Sequence, residues 1–212
     1  SLLLIAQPDI GQTLLVVFCW ATLIFTSGIN IYILLAIFIA GASLLTYLII
    51  YVPRFDYIQG RIFSFFNRET GTHNFQSDKA IESITSGGFF GKGIGEGVLK
   101  NRVPEAHTDY IISVISEEFG VVAIMLILLL FLILIYMVFK KISFETNDKV
   151  KLILIGSISL ILMQATIHVG VNIRLFPTTG MTLPFLSYGG SSIISTSILG
   201  GIILNLTKRK IT

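Results

Sequence analysis

Long apolar runs alternate with short polar breaks along this chain. The runs cover Ile10–Ser27, Ile31–Val52, Phe119–Phe139, Val150–Val171 and Ser191–Leu206. Each approaches the ~20 residues that a helix needs to cross a bilayer core, where only a helix or a closed barrel satisfies its own backbone. The pattern predicts an all-α fold, a polytopic transmembrane helix bundle. Composition agrees, with 53% of the 212 residues hydrophobic and 13% charged, about half the charge of a soluble domain.

The basic residues set an expected orientation. Arg54, Arg61 and Arg68 follow the second run, Lys140, Lys141, Lys149 and Lys151 separate the third from the fourth, and Lys208, Arg209 and Lys210 follow the last. Basic loops favour the cytoplasmic side, which puts all three clusters inside. The run from Phe119 must then start outside, so one further crossing is required between Asp56 and Glu118. The weak stretch Ala80–Gly95, holding Glu82, Lys92 and several glycines, is the place for it. Polar, glycine-broken crossings survive only when buried in protein or lining a wet cavity. About six crossings are expected, with both ends cytoplasmic and Thr26–Asn30, Gly97–Glu118 and Arg174–Gly190 on the outer face. Residues 1–212 read as a single transmembrane domain with an outer loop at about 97–118. The opening Ser-Leu-Leu-Leu-Ile, without Met or a basic leader, reads as the later part of a longer membrane protein.

Chemistry concentrates in Val103–Gly120. Pro104 ends any preceding helix, and Thr108 is a candidate N-cap for a helix entering the membrane. At helical spacing Asp109, Ser113, Ser116, Glu117 and Gly120 share one face. Carboxylates on a membrane helix are costly and are functional candidates by default. The competing account, in which Asp109 caps the helix and Glu117 and Glu118 anchor it at the interface, carries equal weight on these residues alone. Glu105 reads as a solvated loop charge and His107 as a hydrogen-bonding loop residue, with no second His at metal-ligand spacing.

Gly87-Gly-Phe-Phe-Gly-Lys-Gly-Ile-Gly-Glu-Gly97 is not a Walker A loop, because Gly93 rather than Ser or Thr follows Lys92. Gly87 and Gly88 are expected to allow close packing, leaving Lys92, Lys100 and Arg102 to meet a phosphate-bearing substrate. Ser192, Thr196 and Gly200 form a small-residue packing seam, and Arg174 is expected to snorkel to the interface. Cys19 lies inside the first run, so no intrachain disulfide is possible. A net charge of +3 is too small to imply nucleic acid.

Four separated stretches resemble the SEDS family of FtsW, RodA and SpoVE proteins. They are Gln7-Pro-Asp-Ile-Gly11, Ser86-Gly-Gly-Phe-Phe-Gly-Lys-Gly-Ile-Gly95, Pro104-Glu-Ala-His-Thr-Asp-Tyr110 with Glu117-Glu-Phe-Gly120, and Pro177-Thr-Thr-Gly-Met-Thr-Leu-Pro-Phe-Leu-Ser-Tyr-Gly-Gly-Ser-Ser192. They fall in family order, and Pro-Glu-Ala-His-Thr-Asp and Thr-Leu-Pro lean toward the FtsW group. The resemblance implies about ten helices in the complete protein, of which this chain holds roughly the last six. It also implies a bacterial inner-membrane peptidoglycan glycosyltransferase that polymerises lipid II beside a class B penicillin-binding protein, the cross-linking transpeptidase, and other divisome proteins. The family's essential acid falls on Asp109. Two departures stand out. Thr179 replaces a Lys common in FtsW proteins, and Asn101 and Arg102 replace an acidic residue common before the Pro-Glu-Ala-His motif.

On that resemblance Asp109 is the expected general base, taking the proton of an acceptor 4-hydroxyl. Lys92, Lys100 and Arg102, aided by a divalent cation such as Mg or Mn, are expected to stabilise the departing pyrophosphate. Glu105, His107, Thr108, Ser187 and Tyr188 complete the candidate substrate-binding set. Two other classes suit the same residues, a lipid II transporter with broken helices and a non-catalytic scaffold for the transpeptidase.

Overall fold

The computed structural model describes residues 9–66, 72–98 and 105–208. They form α1 (Ile10–Thr26), α2 (Ile31–Tyr51), a 3-10 turn at Pro53–Phe55, α3 (Asp56–Phe66), α4 (Thr72–Gly87), α5 (Ile111–Phe144), α6 (Asp148–Asn172) and α7 (Gly190–Thr207), with no strand among the described residues. Helices α2, α5, α6 and α7 are long and apolar enough to cross a membrane, and α1 is a shorter apolar helix. Short polar side chains start three of them. Asp9, Asn30 and Asn147 accept from the backbone N–H of Gln12, Tyr32 and Lys149, each at 3.0 Å, and so satisfy donors that the first turn leaves open.

Helix α6 is the spine. Helix α1 runs antiparallel along it, with Leu15 packed near Ile167 and Met181, while Leu23 and Cys19 meet Gly156. At the other end Val138 of α5, Leu154, Ile158 and Ile161 of α6, and Ile203 of α7 make a second apolar cluster. These contacts define two ends of the bundle. Lys140, Lys141, Lys149, Lys151 and Lys208 mark one, and Asp9, Asp109 and Asn172 mark the other.

This path differs from the expected one in two ways. Thr26–Asn30 joins α1 to α2 at the lysine end, not on the face of Asp109. Helix α2 then returns to the Asp109 end, where Arg61 of α3 donates from Nη1 to the Thr178 carbonyl at 2.9 Å. Arg61 is therefore not a charge that holds a loop in the cytoplasm, and the charge count that required a crossing at Ala80–Gly95 loses its premise.

No crossing occurs there. Helix α4 runs beside the first turns of α5 in the same direction. Ser83 Oγ donates to Glu117 Oε2 at 3.1 Å, and Ser116 Oγ donates to the Ile84 carbonyl at 3.3 Å. Both helices descend from the Asp109 end, so the chain beyond Gly87 must turn back. Arg174, expected to snorkel, instead pairs with Asp78 and ties the start of α4 to the end of α6. The polar face expected on α5 is real, since Ser113, Ser116 and Glu117 are all fully buried, but it packs on α4.

The turn after α4 repairs a break in α5. Gly120 takes φ 78° and ψ −179°, which no helix accommodates. In a regular helix the N–H groups of Val121 and Val122 would bond the carbonyls of Glu117 and Glu118. Here those N–H groups donate to the carbonyls of Gly88 and Phe89 at 3.0 and 3.3 Å, while the Glu117 and Glu118 carbonyls accept from the N–H groups of Lys92 and Gly93 at 2.8 and 3.0 Å. Four backbone groups that would be orphaned inside apolar surroundings are thus paired across the two segments. The approach is close enough to demand glycine, because a Cβ on Gly87 would lie 1.9 Å from the Ser116 carbonyl oxygen.

Candidate functional site

Asp109 sits on a tight turn that precedes α5. Glu105 adopts a left-handed φ of 54°, and its carbonyl accepts from the N–H groups of Thr108 and Asp109 at 3.1 and 3.0 Å. Thr108 Oγ1 donates back to the Glu105 carboxylate at 2.9 Å. Thr108 is therefore not the N-cap. That place belongs to Tyr110, which caps with no side-chain bond. The consequence is that Asp109 stands outside the helix rather than on its polar face.

The second outer segment closes over this turn. The carbonyls of three consecutive residues accept hydrogen bonds from it or from the end of α6. His107 accepts from the N–H of Tyr188 at 2.9 Å, Thr108 from the Ser187 hydroxyl at 2.7 Å, and Asp109 from Asn172 Nδ2 at 3.1 Å. The Asp109 carboxylate faces Gly180, where an added Cβ would lie 3.5 Å from Oδ2. Both groups line a cavity of about 310 Å³ with Arg61, Gln76, Tyr110, Val171 and Thr178.

Electrostatics mark the carboxylate. Burial pushes the Asp109 carboxyl above its usual range, Glu105 adds to the push, and the Arg61 guanidinium draws it part of the way back. Loss of water disfavours the charged form, which makes a stronger base of the carboxylate once the proton is gone. Burial raises the Tyr110 phenol to about 12, with Ser77 and Arg61 opposing and Asp109 assisting. That hydroxyl keeps its proton at neutral pH and remains a donor at the cavity wall.

The family profile described as "Cell cycle protein", FtsW/RodA/SpoVE, matches residues 1–211. The chain belongs to the FtsW/RodA/SpoVE family. A relative from Caulobacter vibrioides (strain NA1000 / CB15N), named "Probable peptidoglycan glycosyltransferase FtsW", is 35% identical over 214 residues, covering 98% of this chain and 52% of that protein. A relative of the same name from Francisella salina is 37% identical over 216 residues, covering 97% and 52%. The chain spans about half the length of the curated relatives it matches. A solved structure described as "Structural coordination of polymerization and crosslinking by a peptidoglycan synthase complex" superposes with a TM-score of 0.74 at 27% identity, covering 99% of this chain and 59% of that one.

In this FtsW/RodA/SpoVE chain the expected site residues divide into groups. Asp109, Glu105, His107 and Thr108 share the turn, with the side chains of Glu105 and His107 exposed. Ser187 is buried, its hydroxyl accepting from the Leu183 N–H at 2.8 Å while donating to Thr108, so it reaches the turn rather than open cavity. Tyr188 contributes its backbone N–H and leaves its ring exposed at the rim. Lys100 and Arg102 lie outside the described residues.

Lys92 is placed elsewhere. Its Nζ lies 3.3 Å from Oε1 of the fully buried Glu117, which also accepts from the Val98 N–H at 2.9 Å. This ion pair pins the glycine turn to α5, away from the cavity. Lys92→Ala removes one charged partner of the buried Glu117 carboxylate and should lower the thermal midpoint. Adding Glu117→Gln should restore part of that loss, as read from thermal unfolding in detergent. An additive double variant would remove the structural assignment of Lys92.

Three contributors escaped the sequence reading. Arg61 reads in the sequence only as a topogenic charge, and Gln76 belongs to no recognisable motif. Asn172 had a visible signal, because it follows His168 by one helical turn at the end of an otherwise apolar span. A divalent cation would find Asp109 and Glu105 here, yet no group of three His, Cys, Asp or Glu residues gathers among the described residues.

Proposed function

We propose that this chain carries the catalytic part of a peptidoglycan glycosyltransferase that polymerises lipid II. One observation carries the reading: a desolvated carboxylate, Asp109, shares a cavity with Arg61 at one end of a membrane bundle. The names of the relatives point the same way. Asp109 accepts the proton of an acceptor sugar's 4-hydroxyl, and the oxygen attacks the donor's anomeric carbon from the face opposite the leaving group. The bond from that carbon to the pyrophosphate oxygen breaks, and the pair of electrons leaves with the polyprenyl pyrophosphate. The new linkage has inverted configuration. Arg61, held by its bond to the Thr178 carbonyl, offers a fixed positive charge to the departing group, and Lys100 and Arg102 are candidates to join it. A single base suffices because pyrophosphate leaves without a proton.

The protein is a multi-pass membrane protein. Its lysine-rich end suits the cytoplasmic face of a bacterial inner membrane, an orientation with the C-terminus inside and Asp109 outside, where glycan strands assemble. A class B penicillin-binding protein is the proposed partner, in line with the solved structure's description of polymerisation coordinated with crosslinking.

Full-length protein in proteoliposomes, given lipid II, should make glycan chains. Because the Asp109 carboxyl is raised, the base is lost as pH falls through that raised value, so the acid limb of the rate profile should lie above the usual carboxylate range. Translocation of lipid II without polymer would make the protein a transporter. Absence of both, with growth unaffected by changes at Asp109, would leave a scaffold.

A further inference from the structure

We infer that Asn172 is a positioning residue for Asp109, acting with Ser187 to clamp the carbonyls of the turn that carries it. The inference rests on the proposed role of Asp109 as base. It concerns what holds that base in place, which neither the turn's own sequence nor its cavity explains.

The turn from Glu105 to Tyr110 has few internal restraints at its reactive end. Its own hydrogen bonds converge on the Glu105 carbonyl, at its start. The carbonyls of Thr108 and Asp109 point away from them and are held from outside. Asn172 is fully buried, and its Nδ2 group donates both to the Asp109 carbonyl at 3.1 Å and to the His168 carbonyl at 2.9 Å. The second bond fixes the carboxamide's rotamer on α6, so the first can transmit the helix's position to the turn. One helical turn earlier, His168 is also fully buried and bonds the Met181 carbonyl through Nδ1 at 2.7 Å. A carbonyl only accepts, so Nδ1 carries the hydrogen.

Met181 follows Gly180, the residue facing the Asp109 carboxylate. The last turn of α6 therefore grips both walls of the cavity, Asp109 through Asn172 and the Gly180 wall through His168. The separation of carboxylate and wall is set by one rigid element. Ser187 completes the clamp from the other side through Thr108. The groups that face Asp109 from the surrounding elements are Glu105 and Tyr110 on its own turn and Arg61 on α3.

A base displaced by about 1 Å can lose on the order of 100-fold in rate without loss of substrate binding. Asn172→Leu keeps the volume and removes the donor, so kcat should fall about 10- to 100-fold with KM within about twofold. The freed carboxylate gains water, so the acid limb should move to lower pH with the thermal midpoint little changed, whereas general loosening of the fold would lower both. Asn172→Asp should rescue only in part, because a carboxyl buried at 172 keeps its proton but offers one donor to two carbonyls. Ser187→Ala, a smaller change that preserves folding if Asn172→Leu does not, should lower kcat and shift the limb in the same direction. Wild-type kcat in Asn172→Leu overturns the inference. So does an unmoved acid limb in Asn172→Leu and Ser187→Ala alongside equal losses of rate and thermal stability. An inactive wild type would instead fail the assignment of Asp109 as base, while an active wild type with unmoved limbs fails only the clamp.

Discussion

Asp109→Asn should abolish glycan synthesis while leaving the bundle at least as stable as before. Removing a general base typically costs about 10²–10⁴ in rate, and among the described residues no second carboxylate lines the cavity, which is otherwise walled by Arg61, Gln76, Tyr110, Val171, Thr178 and Gly180. Stability should move the other way. Burial raises the Asp109 carboxyl, so at pH above that value the folded state carries a charge it disfavours. The penalty disappears as pH falls through the raised value, and an amide never bears it. At neutral pH the variant's thermal midpoint should equal or exceed the wild type's. Polymer gels and thermal unfolding on the same preparation check both halves. Retained polymerisation would remove Asp109 from the mechanism, and a collapsed midpoint would mean that the carboxylate is structural.

The second large effect is expected at Gly120. Its φ of 78° with ψ −179° belongs to a region open essentially to glycine alone. Gly120→Ala adds strain of about 1–3 kcal/mol. It also drives a Cβ to 2.2 Å from the Phe89 carbonyl oxygen. Relieving that clash means parting the two segments, which unpairs four backbone groups at about 1–3 kcal/mol each. Together these exceed the margin of many folded domains, so the variant should fail to accumulate or should unfold well below wild type. Two comparisons isolate the cause. Gly88→Ala meets no atom within 4 Å at φ 58° and should pay only the left-handed cost of about 1–2 kcal/mol. Gly41→Ala, in helix α2 with open space around it, should be neutral. Equal stability for Gly120→Ala and Gly41→Ala, read by thermal unfolding in detergent, would refute the exchanged ladder.

The bundle and the position of Asp109 were legible because each rests on a local signal. Apolar runs predict the helices α1, α2, α6 and α7 within a few residues and the central part of α5, which begins eight residues before its run, and the Pro-Glu-Ala-His-Thr-Asp motif locates the turn. The union of that turn with the segment after Arg174 was also visible, since both are polar, proline-bearing breaks. What escaped was non-local. Helix α4 is too polar to register as a membrane element, and its burial depends on Ser83, Ser116 and Glu117 finding one another across the fold. Arg61 misled the charge count because an arginine reaching a cavity carries the same formal charge as one anchoring a loop. Thr108 has the chemistry of a cap but satisfies Glu105 instead, a choice made by the left-handed φ at Glu105.

The shared backbone ladder between the glycine turn and α5 has a consequence for biogenesis. Helix α4, with Asp78, Lys79 and Glu82, would not leave water for lipid on its own. Its partners on α5 are synthesised only after it. The segment must therefore wait at the membrane surface until α5 has inserted, then fold inward against it. Insertion of α4 is therefore out of register with its translation, because it enters only after a helix made later than itself.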